Sequence, residues 1–148
     1  LFSYRNIGEI VDKGFEAAVD LAATDEWALF VNYSYQDDPE VTGIPADEIN
    51  LPPNHRFNFG VAYNGPVFYA NGNVNYQAEA FWTDVLDSRF WGPTDSFTML
   101  NLAAGVKLAG DNVVLGVIAS NVTNEEVMQH VFGDIISRKV VGELRFHF

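Results

Sequence analysis

At 148 residues the chain has the length of one domain, and 48% hydrophobic with 14% aromatic residues excludes a disordered polymer. A net charge of −12 argues against nucleic acid and against an anionic membrane surface as partners, and the absence of cysteine excludes disulfides and thiolate chemistry. No stretch approaches the roughly 18–20 uncharged apolar residues of a membrane helix. A mean hydropathy near zero is nevertheless what transmembrane β-strands give, because half of their residues are hidden from lipid.

Along the chain the dominant period is 2. The opening LFSYRNIG has no initiator Met, and residues 1–7 read as the remnant of an eighth strand in something processed or cut from a longer chain. In GFEAAVDLAAT, Phe15, Ala17, Val19 and Leu21 share one face and Glu16, Ala18, Asp20 and Ala22 the other. WALFVNYSYQ and HRFNFGVAYN alternate in the same way, Trp27, Leu29, Val31 and Tyr33 against Asn32 and Ser34, then Phe57, Phe59 and Val61 against Arg56 and Asn58. VFYANGNVNYQAEAFW is predicted as the longest strand, and its polar stripe is Tyr69, Asn71, Asn73, Asn75, Gln77 and Glu79. FTMLNLAAGVKL sets Leu100, Leu102, Ala104 and Val106 opposite Asn101 and Lys107, and NVVLGVIASNV is apolar on both sides, so its facing stays open. The terminal VVGELRFHF puts Phe148, Phe146 and Leu144 on one face and His147, Arg145 and Glu143 on the other.

Seven clear strands and a possible eighth are joined by connections that alternate in length. Residues 24–26, 64–66 and 109–111 are tight turns of hairpin composition, whereas residues 37–54, 83–96 and 123–137 are long loops. All long loops therefore emerge at one end, and the strand length of ~10 residues suits a tilted bilayer crossing. Aromatics near strand ends (Trp27, Tyr33, Tyr35, Tyr63, Phe68, Trp82 and Phe148) suit interfacial girdles. The expected fold is all-β: antiparallel up-and-down transmembrane β-barrel strands in the bacterial outer membrane, with short periplasmic turns and long extracellular loops. Lipid and lipopolysaccharide would meet the apolar face, and the polar stripe Asn71, Asn73, Asn75, Gln77 and Glu79 would face the lumen.

Four stretches carry a family resemblance. NIGEIVDKGFEAAVDL, LPPNHRFNFGVAYN, SNVTNEEVMQHVFGD and the closing KVVGELRFHF follow one another in an order that resembles the C-terminal part of a TonB-dependent receptor, a family of outer-membrane active transporters. The resemblance implies that residues 1–148 are a single segment, the C-terminal third of a larger barrel, without the plug domain of such receptors. It implies as partners a plug domain and the TonB energy-coupling protein through upstream sequence, and uptake of a scarce nutrient such as an iron–siderophore complex or cobalamin, in a Gram-negative cell. A stand-alone eight-stranded barrel acting as anchor, adhesin or structural protein stays open beside it, as does, more weakly, a soluble carrier.

The residues show no enzyme. His55, His130 and His147 lie far apart, and neither a metal-binding helix motif nor a nucleophile elbow occurs. Glu16 and Asp20 share one strand face, an arrangement that porin-like lumens carry routinely. No catalytic residue and no cofactor are expected. Asn32-Tyr-Ser and Asn121-Val-Thr match glycosylation acceptors but fall inside strands and are discounted.

The long loops hold Asp37, Asp38, Glu40, Asp47 and Glu48, then Asp84, Asp87 and Asp95, then Glu125, Glu126 and Asp134, with Arg89 as their single cation. Such a rim either binds divalent cations or a cationic or metal-chelate substrate, or merely solubilises the loops, so any metal is left unknown. In SRFWGPTD, Arg89, Phe90 and Trp91 have the composition of a ligand-binding anchor, and His130 with Met128 and Phe132 forms a weaker second candidate.

Overall fold

The structure, a computed structural model, describes residues 6–83, 87–110 and 112–147. Its strands are β1 (Glu9–Val11), β2 (Gly14–Ala22), β3 (Trp27–Gln36), β4 (Glu40–Thr42), β5 (His55–Asn64), β6 (Phe68–Gln77), β7 (Ala80–Trp82), β8 (Gly92–Thr94), β9 (Phe97–Leu108), β10 (Val113–Ser120) and β11 (Lys139–Phe146). Seven of them form one antiparallel meander in the order β11-β10-β9-β6-β5-β3-β2, each strand paired with its sequence neighbours in that sheet. The expected seven strands are therefore all present. Of the expected remnant, residues 1–5 lie outside the described residues and residues 6 and 7 are not strand; Phe148, expected in the terminal strand, also lies outside them.

The register runs Ala18, Asn32, Asn58 and Asn75 across β2, β3, β5 and β6, so the polar residues of successive strands line up on one face. The opposite face carries Val19, Val31, Phe59 and Val74 in one such row. Side chains there stand exposed, Val19 at 59%, Leu21 at 55%, Phe68 at 50%, Leu144 at 56% and Val140 at 62%, where a water-soluble sheet would bury them. A contiguous uncovered apolar face of this breadth is the surface a hydrocarbon solvent requires. Its two ends are aromatic. At the long-loop end Phe15 packs 5.7 Å from Tyr33 and Tyr35 lies 5.2 Å from His55, while at the short-turn end Trp27 lies 4.9 Å from Tyr63 and Tyr63 4.8 Å from Phe68. Tyr35 and Trp27 are eight positions apart on β3, about 26 Å along the strand, which at the usual barrel tilt crosses roughly 20 Å of a membrane band.

On the polar face two aromatics take the place of missing side chains. Tyr69 of β6 reaches across Gly105 of β9 and Gly116 of β10, where a Cβ would run into its ring at the first and its hydroxyl at the second, and the Phe30 ring covers Gly60 likewise. This settles β10. Gly116 lies beneath Tyr69 on the polar face, so Val113, Leu115 and Val117 belong to the apolar one.

The short connections are built as their composition demands. Thr24 Oγ1 accepts from the backbone N–H groups of Glu26 and Trp27 at 3.2 and 3.0 Å, and Lys107 Nζ donates to the Gly65 carbonyl at 3.0 Å. Ala109 and Gly110 take positive φ of 53° and 65° in the β9–β10 turn.

Candidate functional site

The long-loop end has its own layer of structure. Loop 1 (residues 37–54) sends β4 back to pair with β1, and loop 2 (residues 78–96) forms the small β7–β8 hairpin. Leu51 and Phe81 exchange backbone hydrogen bonds of 2.8 and 2.9 Å, which ties loop 1 to loop 2. Loop 3 (residues 121–138) closes on itself through the Val127–Ile136 bridge.

Loops 2 and 3 meet through rings. Trp82 lies 5.1 Å from His130, His130 5.8 Å from Phe132, and Phe132 5.1 Å from Phe90 in an edge-on arrangement. Phe90 and Phe132 remain 48% and 52% exposed, two large apolar side chains presented at the loop surface. Of the expected anchors, Phe90 and His130 thus join one cluster. Arg89 does not enter it: its Nε donates to Asp87 at 2.9 and 3.0 Å, and its side chain is otherwise exposed. Trp91 adjoins it in the chain, and its N–H donates to the Ser88 carbonyl at 3.2 Å. Trp82, expected in the membrane girdle, sits in this loop layer instead, because the chain leaves the sheet after Gln77 and restarts as β7.

That same departure moves Glu79. It lies past the end of β6, exposed beside Asp38, Asn54 and Pro93, rather than in the stripe of the sheet. Asn71, Asn73, Asn75 and Gln77 are on the polar face, and three asparagines there form a relay. Asn75 Nδ2 and Asn101 Nδ2 both donate to Asn73 Oδ1 at 2.9 Å, and Asn101 Oδ1 accepts the backbone N–H of Asn121 at 3.0 Å.

Asn121, expected inside a strand and considered only as a discounted glycosylation acceptor, lies just past the end of β10 and is where sequence reasoning missed a structural role. It is fully buried, takes φ +50°, and its Nδ2 donates to the carbonyls of Glu125 and Ile136 at 2.7 and 2.9 Å while its Oδ1 accepts from the Glu125 N–H at 3.1 Å. Both ends of loop 3 are therefore fastened to one side chain. The signal was an Asn immediately after a strand and before a second Asn, since Asn tolerates the left-handed region better than most residues. Burial also removes it as a glycosylation acceptor.

The acidic rim is dispersed rather than gathered. Glu40 pairs with Lys13, Asp38 accepts from Asn54 at 3.0 Å, Asp87 holds Arg89, and Glu125 accepts the Thr98 N–H at 3.1 Å. Arg89's hydrogen bond holds the Asp87 carboxyl below its ordinary range, and Glu40 raises the Lys13 ammonium. Among the described residues no three carboxylate or histidine side chains converge to hold a metal ion. Asp84 lies outside the described residues.

A family model described as TonB dependent receptor-like, beta-barrel, matches residues 1–124. The chain belongs to the TonB-dependent receptor β-barrel family. Membership implies a receptor and transport role, an outer-membrane location and, in general, partnership with TonB and a plug; the family is one of transporters and not of enzymes. The match covers β1 to β10, including Asn121, and stops inside loop 3. No curated protein matches the chain.

Proposed function

We propose that this chain forms a wall segment and part of the extracellular capture face of a TonB-dependent receptor that takes up a scarce nutrient such as an iron–siderophore complex or cobalamin. The observation that carries the reading is the cluster of Phe90, Phe132, His130 and Trp82, assembled from loops 2 and 3 at the end of the sheet where the polar relay also ends. Exposed aromatic anchors at the rim of a polar wall suit a bulky solute that is caught first and passed along the wall afterwards. Arg89, Phe90, Trp91 and His130 are its contact residues, and Asn71, Asn73, Asn75 and Gln77 face the lumen.

Among the described residues β2 and β11 each have a strand partner on one side only, which supports a place within a wider barrel over an eight-stranded barrel closed on itself. In that arrangement a plug domain fills the lumen, TonB supplies energy through it, and lipid with lipopolysaccharide surrounds the apolar face. The test is uptake by cells of a Gram-negative host expressing the full-length receptor, offered radio-iron siderophores and labelled cobalamin in turn. One of them is expected to enter in a TonB-dependent way, and Phe90→Ala with Phe132→Ala to reduce that uptake on the order of tenfold while surface level holds. Uptake that ignores TonB, or that survives the double substitution unchanged, overturns the reading.

A further inference from the structure

Among the described residues, two buried side-chain polar atoms lack a hydrogen-bond partner, Trp82 Nε1 and Thr94 Oγ1. They are not scattered. In the β7–β8 ladder Ala80 pairs with Thr94 and Trp82 with Gly92, so alternation puts Trp82 and Thr94 on one face as diagonal neighbours. Loop 3 covers that face. His130 packs on Trp82, Val131 lies within van der Waals reach of a side chain at Gly92, and Thr94 is left 1% exposed.

The indole N–H can only donate, and the threonine hydroxyl can donate as well. His130 adds a third group: its Nδ1 accepts the Phe132 N–H at 3.2 Å, which places the neutral ring's proton on Nε2. Native interiors rarely leave such groups unpaired, and two on one small face point to an acceptor that is missing. The cover is also separable. Among the described residues the hydrogen bonds of residues 128–135 are internal to loop 3 or absent, none reaching β7 or β8, while Asn121 latches the base of the loop. The tip rests on that face through ring and apolar contacts, with its base fastened by Asn121. Charge narrows the acceptor: the three loops carry far more carboxylates than cations, with Arg89 held by Asp87 and Arg138 at the base of loop 3, so an anion is disfavoured.

We propose that the β7–β8 face beneath the tip of loop 3 binds an uncharged carbonyl or amide oxygen of the captured solute, with Trp82 Nε1 and Thr94 Oγ1 as its hydrogen-bonding partners. This rests on loops 2 and 3 being the capture face, and adds which chemical group of the solute they engage.

The test uses the full-length chain in detergent micelles, with nitrogen-15 in its tryptophan indoles and Trp82→Phe to assign the Trp82 signal. N-acetylglycinamide is the uncharged probe and acetate its anionic counterpart. The Trp82 indole proton is expected to move downfield saturably with N-acetylglycinamide and to stay in place with acetate. Thr94→Val, which removes the hydroxyl at nearly constant volume, is expected to weaken the response about tenfold without loss of heat-modifiable gel mobility. An unmoved Trp82 signal, an equal response to acetate, or a Thr94→Val titration like that of the parent overturns the proposal. So does magnetisation transfer showing bound water already on the indole N–H. If siderophore or cobalamin uptake depends on Phe90 and Phe132 while the Trp82 signal stays silent, the subsite fails and the capture face stands; if that uptake is insensitive to both, the capture face itself fails.

Discussion

Asn121 holds its left-handed φ because each of its polar atoms has work in that posture: one carboxamide reaches both ends of loop 3, and its backbone N–H reaches Asn101 on the wall. Replacement by Ala takes the Asn121 carboxamide away from the Glu125 and Ile136 carbonyls and the Glu125 N–H. An expected cost on the order of 1–3 kcal/mol falls on loop 3, since β10 and β11 keep their own ladder. Chymotryptic cleavage after Phe132 in the full-length receptor is the measurement: it is expected to accelerate in Asn121→Ala while heat-modifiable mobility of the barrel persists. Asn121→Asp is expected to be worse, because it trades two donated hydrogen bonds for a carboxylate facing two carbonyl oxygens. If cleavage in both variants matches the parent, loop 3 is held by something other than Asn121.

Within loop 2 the Asp87–Arg89 ion pair reinforces the backbone hydrogen bonds Phe90 N–H to Asp87 and Trp91 N–H to Ser88 in the turn that presents Phe90. The Arg89 side chain, and after it the Arg89 backbone N–H, stabilises the Asp87 carboxylate and holds its titration below the ordinary carboxylate range. The sign follows. A group with a depressed folded value contributes order above the unfolded value and loses it as pH falls through the folded one. A spin label at Ser88→Cys is therefore expected to show constant mobility from about pH 8 to pH 5 and rising mobility only in the acid range beneath ordinary carboxylates. Asp87→Asn is expected to be mobile throughout, and a parent-like profile in that variant would remove Asp87 as the cause. The long strands were legible because alternation of period 2 cannot survive a register slip: β3, β5 and β9 have the boundaries their patterns gave. The pattern overran at β6, where AEAFW continues the alternation although the backbone breaks at Ala78 and Glu79 to build the β7–β8 hairpin. β1, β4, β7 and β8 are three residues each, too short for any period to register. For the site, Phe90 and His130 were legible as large side chains in polar loops, whereas the Trp82–Thr94 face depends on the pairing of two three-residue strands and its cover by loop 3, and the Asn121 latch on loop 3 turning back on itself.

At the scale of the molecule the sheet separates two solvents, and adjacent residues on one strand are enough to tell them apart. Phe59 and Asn58 are neighbours on β5. Phe59 lies on the apolar face in the row of Val31, midway between the aromatic ends, and is 39% exposed; Asn58 lies opposite Asn32 and Asn75 on the polar face. An arginine placed at residue 59 has to carry its charge into the middle of a hydrocarbon layer, which costs about 2–4 kcal/mol at a bilayer midplane in β-barrels. The same side chain placed at residue 58 enters a water-filled or plug-facing space, and beside Arg56 it meets only like-charge repulsion of a few tenths of a kcal/mol at a solvated surface. In lipid vesicles the full-length receptor carrying Phe59→Arg is therefore expected to unfold at distinctly lower urea, and the receptor carrying Asn58→Arg close to the parent. Moving to detergent should shrink the penalty at Phe59, since a micelle deforms around a charge more easily than a bilayer. Equal effects at the two positions would mean that both faces of the sheet meet the same solvent, and the assignment of the exposed apolar face to lipid would then fall with it.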